Sequence, residues 1–417
     1  MKKKDIAELK KRFKKDKCTF TKLCGCYVNS QKNIILHIKE TFLNLDDEEF
    51  FKYLEIAKKV LSGTIGNNLL QLDFPLEGED IDSTRQSLIA LKKSALKDDN
   101  LLENFYKSVI DNYDYEGNFL ILVFHDAYDV MKKTTDNSNL DESEEVYEYI
   151  LCAVCPVELS KPGLGYLQDE NRIGSLMRDW VVSKPDIGFV FPAFTDRSSN
   201  FDSVIYYTKN PKDPHEEFME GALSCPSKQT AALQKETFHS LICSAAGGTE
   251  DKETNKMLME IQENINSAVE ENDDVTEENP EILTSDKFSN ILSDSGVSED
   301  LSEKIQKSFE EKFSDELPLA ENLIDKKAVK ENIKKKKEHE LNKKVQVLKE
   351  ELQKTKQTIE DENSTDDISD YDVVLSVKPE KVPDIKSDVI DGRKCIVIPL
   401  EDDEHIKLNG VMLDKLN

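Results

Sequence analysis

Apolar residues recur along this chain with two periods, one helical and one strand-like, and each segment can be read from the period it keeps. Ile6, Leu9 and Phe13 fall at helical spacing among nine Lys and Arg residues in the first 17 positions. That pattern predicts a basic amphipathic helix. Cys18 to Tyr27 alternates, residues 29–33 are polar, and Ile34 to Ile38 is apolar again, so a hairpin is expected. Asp46 opens a helix with the stripe Phe50, Leu54, Ala57 and Leu61. Glu49 completes a capping box there, and Gly63 lies just past the end. Leu70, Leu72 and Phe74 alternate up to Pro75, which fits a short strand. Two helices follow. One carries Leu88, Ile89 and Leu91, and the other starts at Asp98 or Asp99 and buries Leu101, Leu102, Phe105, Val109 and Ile110.

Next come strand signals at Phe119 to Phe124, Tyr147 to Val157, Gly188 to Phe194 and Ser203 to Thr208. No regular strand–helix alternation accompanies them, which disfavours a parallel dinucleotide-binding sheet. Helices at Pro214–Leu223 and Gln229–Ser244 close this part.

Beyond Ala246 the apolar pattern thins. Met257, Leu258, Ile261, Ile265 and Val269 form one helical stripe, and residues 270–280 are acidic. Two short helices flank Ser295-Gly296-Val297-Ser298, with Phe288, Ile291 and Leu292 before the turn and Leu301, Ile305, Phe309 and Phe313 after it. Between Lys326 and Glu362, Leu341, Val345, Leu348, Leu352, Thr355 and Ile359 are spaced four, three, four, three, four. That is a heptad seam, shorter than the ~3–4 heptads of a convincing coiled coil. A solvated single helix is one reading. Self-association through Leu341, Val345, Leu348 and Leu352 is the other. Residues 363–370 form an acidic linker. Tyr371 to Val377 reads as a strand, Val389-Ile390 and Cys395 to Ile398 flank the turn signal Asp391-Gly392, and Asn409-Gly410 repeats it. A sheet this small is marginal alone and is expected to dock on the front domain or on a partner.

Composition sharpens the division. Seven of the eight cysteines, the only tryptophan and nearly all aromatics precede Ala246, and from Gly247 to Asp370 the aromatics are Phe288, Phe309 and Phe313 alone. The expected fold class is α+β: a largely antiparallel sheet with helices in a front domain (1–246), an acidic helical middle (247–325), a charged helix and linker (326–370) and a small β-hairpin tail (371–417). The middle offers too few large apolar side chains to build a full core. The net charge of −28 opposes general affinity for nucleic acid, the N-terminal lysines being the local exception. No apolar stretch follows those lysines, so no signal peptide is expected, and the longest apolar runs are strand-sized, so no membrane insertion is expected either. A cytoplasmic location follows, with reduced cysteines.

Several constellations are candidates for chemistry. Cys24-x-Cys26 and Cys152-x-x-Cys155-Pro156 supply four thiols, and four thiolates are able to hold a structural zinc. Residues two apart on a strand share a face, but residues three apart do not, and Ala153 and Val154 lie in an apolar run rather than a turn. Buried core cysteines are therefore the expected reading, with no metal and no cofactor. His125-Asp126 with Asp129 closes the strongest strand and is the leading catalytic candidate, against a structural hydrogen-bonded pair. Asp196-Arg197 begins a polar loop, either an anion site or a capped turn. Lys161-Pro162-Gly163-Leu164-Gly165-Tyr166 has glycines but neither the phosphate-loop nor the dinucleotide fingerprint. The helix pair around Gly296 imitates a helix-turn-helix, yet Ser298, Glu299 and Asp300 at the start of its second helix are unsuited to phosphates and base edges.

The segments LCGCYV (from Leu23), LKDDNLLENFYKSVIDNYDY (from Leu96), ILCAVCPVELSKPGLGY (from Ile150), RDWVVSKPDIGFVFPAFTDRS (from Arg178), SVIYYTKNP (from Ser203) and VIDGRKCIVIPL (from Val389) resemble the bacterial domain-of-unknown-function family 4317. The likeness spans nearly the whole chain and implies a bacterial cytosolic protein with no established activity. The Lys/Glu-rich stretch from Lys326 to Glu362 looks longer than that family's usual linker. A faint likeness to nucleoid-associated proteins lies in Cys225 and QKETFHSLI (from Gln234).

Three function classes remain open on the sequence. The leading one is a non-catalytic protein acting through protein contacts. The second is an enzyme using His125, Asp126 and Asp129 with Asp196 and Arg197. The third is nucleic-acid or nucleoid association through the basic N-terminal helix.

Overall fold

Alternation in the front part builds one large sheet. Its strands are β1 (Lys22–Val28), β2 (Ile34–Thr41), β3 (Leu69–Asp73), β4 (Asn118–Lys133), β5 (Asn139–Leu159), β8 (Trp180–Val182), β9 (Ile187–Phe191) and β12 (Ser203–Thr208). They run in the order β2-β1-β4-β5-β9-β12-β3, every pairing antiparallel, and β8 pairs with β5 beyond the end of β9. Two small hairpins project from it, β6 (Leu164–Leu167) with β7 (Arg172–Ser175) and β10 (Ala193–Thr195) with β11 (Ser198–Asn200). The structure is a computed structural model that describes residues 1–75, 79–133, 139–248, 252–271, 280–314, 316–362, 377–401, 407–408 and 411–412. The chain is α+β, as its patterning predicts.

Successive side chains of a strand point to opposite faces, so each strand feeds two cores. Cys24, Cys26, Ile121, Val123, Ile150, Cys152 and Phe189 face one of them, where α3 (Glu79–Lys93), α4 (Asp99–Asn112) and α5 (Glu216–Gly221) supply Leu91, Leu102, Tyr106 and Phe218. Leu122, Phe124, Leu151, Ala153 and Val190 face the other, covered by α1 (Lys3–Arg12) and α2 (Asp47–Val60) through Ile6, Leu9, Phe50 and Leu54. Asp46 caps α2 by accepting from the Glu49 amide, as the sequence predicts. The lysine-rich α1 is held by its apolar stripe, with Ile6, Leu9 and Phe13 buried.

β4 and β5 run well past the predicted Phe119–Phe124 and Tyr147–Val157. After Phe124 one face of the strand stays buried, through Asp126, Tyr128 and Val130, while Asp129 on the other face is exposed. One buried face suffices to sustain an antiparallel strand. His125, Asp126 and Asp129 therefore lie inside a strand and not at its end.

The helices from α6 onward form a further layer: α6 (Ala231–Ala245), α7 (Lys252–Glu271), α8 (Ser285–Asp294), α9 (Glu299–Lys312) and α10 (Ala320–Leu323). They bury a core of their own, with Phe238, Ile261, Phe288, Leu292, Ile305 and Phe309 closed to solvent and Phe238, Phe288, Phe309 and Phe313 in tilted ring contact in succession. The expectation of no full core here fails because α6 brings Phe238, Leu241 and Ile242 across the compositional boundary, and the thin stripes of α7 to α9 pool with them. Gly296, with φ of 70°, makes the turn between α8 and α9.

Contacts divide the chain into Met1–Glu331 and Asn332–Asn417. The second unit holds most of α11 (Lys326–Glu362), the hairpin β13 (Lys386–Ile390) and β14 (Arg393–Val397), and the pair β15 (Lys407–Leu408) and β16 (Val411–Met412). Asp391 and Gly392 both take positive φ, as the tight hairpin turn predicted there requires. Most of the predicted acidic segment at 270–280, the linker at 363–370, most of the strand at 371–377 and the Asn409-Gly410 turn lie outside the described residues. Among the described residues, no helix is long and apolar enough to cross a membrane.

Candidate functional site

His125 and Asp126 are neighbours in sequence and strangers in space, because adjacent strand residues face opposite cores. His125 Nδ1 lies 2.8 Å from Thr21 Oγ1 and its Nε2 lies 3.1 Å from Glu148 Oε1. Glu148 Oε2 in turn accepts from Lys92 Nζ on α3 at 2.7 Å. Burial drives the Glu148 carboxyl upward, but the bonds from Lys92 and His125 outweigh it and hold it below the usual carboxylate range. On the opposite face, Asp126 accepts from Tyr149 OH at 2.8 Å, from Thr19 Oγ1 at 2.5 Å and from the Ala127 amide. Burial, then the adjacent Asp126 carboxylate, push the Tyr149 phenol well above its usual range. Asp129 is exposed on the His125 side.

Asp196 and Arg197 belong to the tight turn between β10 and β11, both with positive φ. They bind α1 instead of an outside anion. Arg197 donates to Glu8 at 3.1–3.3 Å and to the Met131 carbonyl at 2.6 Å. The Asp196 amide donates to the buried Asp5, and its carboxylate pairs with Lys2 at 2.8 Å. Arg12 stacks over Tyr128 at 4.2 Å and donates to Thr19. So α1 lies on the Asp126 face with Arg197, away from His125. Cavities of about 680 and 500 Å³ exist, lined by the edge strand β3 with residues 280–322 and by α7 with α8. His125, Asp129 and Arg197 line neither.

The cysteines are spread across the sheet. Cys24 and Cys152 flank Val123 from β1 and β5, two strand spacings or roughly 10 Å apart. Cys26 shares their face, while Cys155 belongs to the opposite core. Four-coordinate zinc needs its sulfurs about 2.3 Å from one point. Among the described residues no group of three or more His, Cys, Asp or Glu is placed to hold a metal. Burial pushes the Cys26 thiol up to about 12 and those of Cys24, Cys152 and Cys155 upward, opposite to what an activated thiol requires.

Two features escape sequence reasoning. His215, just before α5, lies 3.1 Å from Asp186 Oδ2 and 2.9 Å from Glu217 Oε1, and Tyr113 OH donates to the same Asp186 oxygen. Burial lowers the imidazole's affinity for its proton, but the two carboxylates outweigh it and raise its pKa to about 9. Glu217 is two positions away, but Asp186 and the Tyr113 that bonds it stand 29 and 102 positions away, beyond any local signal.

The second is an apolar arm at residues 159–182. In the β6–β7 hairpin, Tyr166 pairs with Ile173 across the strands, and with Leu164 they share a face open to solvent. The other face is closed by its own chain. A Cβ on Gly165 would meet Leu176 at 2.7 Å, and one on Gly174 would meet Leu167 at 2.6 Å. Met177 is 88% exposed and Trp180, the only tryptophan, is 56% exposed on β8. Leu164, Tyr166, Ile173, Met177 and Trp180 are each more than half exposed, and large apolar side chains gathered in water within one short segment mark a contact site. Among the described residues β8 pairs with β5 alone. The alternation L-G-Y-L and R-I-G-S was a readable signal, hidden because glycine at this spacing suggests a phosphate loop first.

Against known proteins, a family profile described as Domain of unknown function (DUF4317) matches residues 1–411 of the chain. No curated protein matches it.

Proposed function

The chain belongs to that family, and from this premise we propose that it is a non-catalytic protein of the bacterial cytosol that works through protein contacts at the arm of residues 159–182. The single observation that carries the reading is the open apolar face of Leu164, Tyr166 and Ile173 beside the exposed Met177 and Trp180. Water-exposed apolar surface of this extent is unfavourable until a partner covers it. Lys161, Arg172 and Arg178 balance Asp169, Glu170 and Asp179 across the arm, so hydrophobic burial rather than charge drives the contact. Trp180 to Val182 present an edge strand, and the partner that fits is an extended apolar segment of another protein, added along β8. Of the polar groups of the alternative, enzymatic reading, Asp196 and Arg197 hold α1, and His125 shares Glu148 with Lys92 of α3, which supports contact over catalysis.

A photo-crosslinking residue at Met177, introduced into the full chain in living cells, tests this. One discrete adduct with a different protein is expected, lost when Leu164, Tyr166 and Ile173 are changed to Asp while the melting temperature stays constant. Adducts that form equally from an exposed position on α2 such as Lys52, or that survive the triple change, would overturn the reading.

A further inference from the structure

Strand β3 ends the sheet on one side, and its hydrogen bonds fix which of its residues face outward. The Thr208 amide donates to the Asn68 carbonyl, and the Phe74 amide donates to the Asp202 carbonyl. Bonded pairs alternate along an antiparallel ladder, so residues 68, 70, 72 and 74 bond toward β12. Leu69, Gln71 and Asp73 turn their backbone groups to the free edge. Leu69 is satisfied by its own loop, donating to the Thr64 carbonyl at 3.2 Å and accepting from the Gly66 amide at 2.8 Å. The Gln71 carbonyl accepts from Lys228 Nζ at 3.1 Å. Among the described residues, the Gln71 and Asp73 amides and the Asp73 carbonyl bond no protein atom. This edge forms one wall of the cleft of about 680 Å³. We propose that the cleft takes an extended peptide segment of another protein as an added strand along β3, a contact site separate from the arm of residues 159–182.

The backbone chooses the occupant. Two outward residues at alternate positions lie roughly 7 Å apart, the repeat of an extended chain, and present donors and acceptors in the order a strand presents them. The window is short. It opens at Gln71, because the Thr64–Gly66 loop already holds Leu69, and it closes at Asp73, because Pro75 has no amide to offer. The Gln71 carbonyl keeps a second lone pair beside Lys228, so a peptide can make up to about four backbone bonds here. The opposite wall offers side chains instead. There the Leu283 amide donates to the Pro318 carbonyl and the Ala320 amide to the Glu281 carbonyl, so its backbone is paired around the Ile282–Leu319 bridge. Ile282 and Leu317 line the cleft at 48% and 44% exposure. Apolar side chains of the added segment cover them. The net charge of −28 disfavours an acidic segment. The cleft falls within the roughly 300–1,000 Å³ of ligand-binding clefts.

Panning a phage-displayed library of random heptapeptides on the full-length protein tests this, with Leu164, Tyr166 and Ile173 changed to Asp so that the arm is silent. Enrichment of apolar, non-acidic peptides is expected, and a selected peptide made synthetically should bind at roughly 10–100 µM. Gln71→Pro deletes the outward amide and leaves every bond to β12 in place, and it should weaken that peptide roughly tenfold. Gln71→Ala keeps the amide and should stay within about twofold. Methylation of the peptide's backbone nitrogens reads the same contact on a chain unaltered at β3: alternate nitrogens should be sensitive and those between them tolerant, because only alternate residues face β3. A library that yields no enriched peptide would overturn the proposal. So would a peptide that binds Gln71→Pro as tightly, or one that tolerates methylation at every nitrogen. The arm is silent in all of these measurements, so their failure leaves the reading of the arm standing, and failure of that reading leaves this cleft untouched.

Discussion

His215 shows how a single side chain can set the pH range of the fold. Asp186 and Glu217 lift its pKa from 6.5 to about 9 against the effect of burial. A histidine whose folded pKa lies above its unfolded value contributes stability that is complete below pH ~6.5 and is lost as pH rises through about 9. Asp186 has the reverse sign: its pKa is lowered, so its contribution is present above the usual carboxylate pKa and fades in acid. The Tyr113 phenol, pushed far up by burial and Asp186, stays neutral throughout. We therefore expect His215→Gln to cost about 1–2 kcal/mol near pH 6, after discounting for partial solvent screening, and nearly nothing at pH 10. Thermal melts of both proteins from pH 6 to 10 would read this as two curves that converge. A constant gap across that range would show that the imidazolium is not the stabilising species.

At the scale of elements, the residues singled out for chemistry act as fasteners. Arg197 and Asp196 anchor α1 through Glu8, Asp5 and Lys2, and Lys92 ties α3 to β5 through Glu148. Helix α1 has no side-chain cap at its N-terminus, and Ile6, Leu9 and Phe13 together with these polar contacts hold it on the sheet. Arg197→Gln should let α1 open locally. Its amides from Lys3 to Arg12 should exchange with deuterium roughly tenfold faster, while β4 and β5 keep their protection. Unchanged exchange in α1 would mean the apolar stripe alone holds it. The opposite-face placement of His125 and Asp126 follows from a period-2 strand and was derivable once β4 was known to continue past Phe124. The polar character of that continuation concealed it.

Across the whole molecule, charge governs what the protein meets. With a net charge of −28, the protein should bind duplex DNA weakly or not at all at physiological salt, and any residual affinity should vanish when the lysines from Lys2 to Lys17 are replaced. Electrophoretic mobility shifts would check it, and tight binding by the lysine-free variant would point to a basic surface elsewhere. The sequence by itself determined what is local. Periodicity within about ten residues located α1, α2, α4, the β1–β2 hairpin and the turn at Gly296, because backbone hydrogen bonding and one-sided burial repeat at that range. It also determined the α+β class, since the strand signals cluster without regular helical crossovers. Tertiary structure alone decided the rest. Sheet order set which strand neighbours which, and so placed Glu148 rather than Asp126 beside His125, and Asp186 beside a histidine 29 residues away. It pooled α6 with α7 to α9 into a core that composition argued against. It also left Leu164, Tyr166 and Trp180 in water, because an apolar residue is written the same way whether the fold covers it or not. Burial depends on what the rest of the chain brings to that face, and no local pattern carries that information.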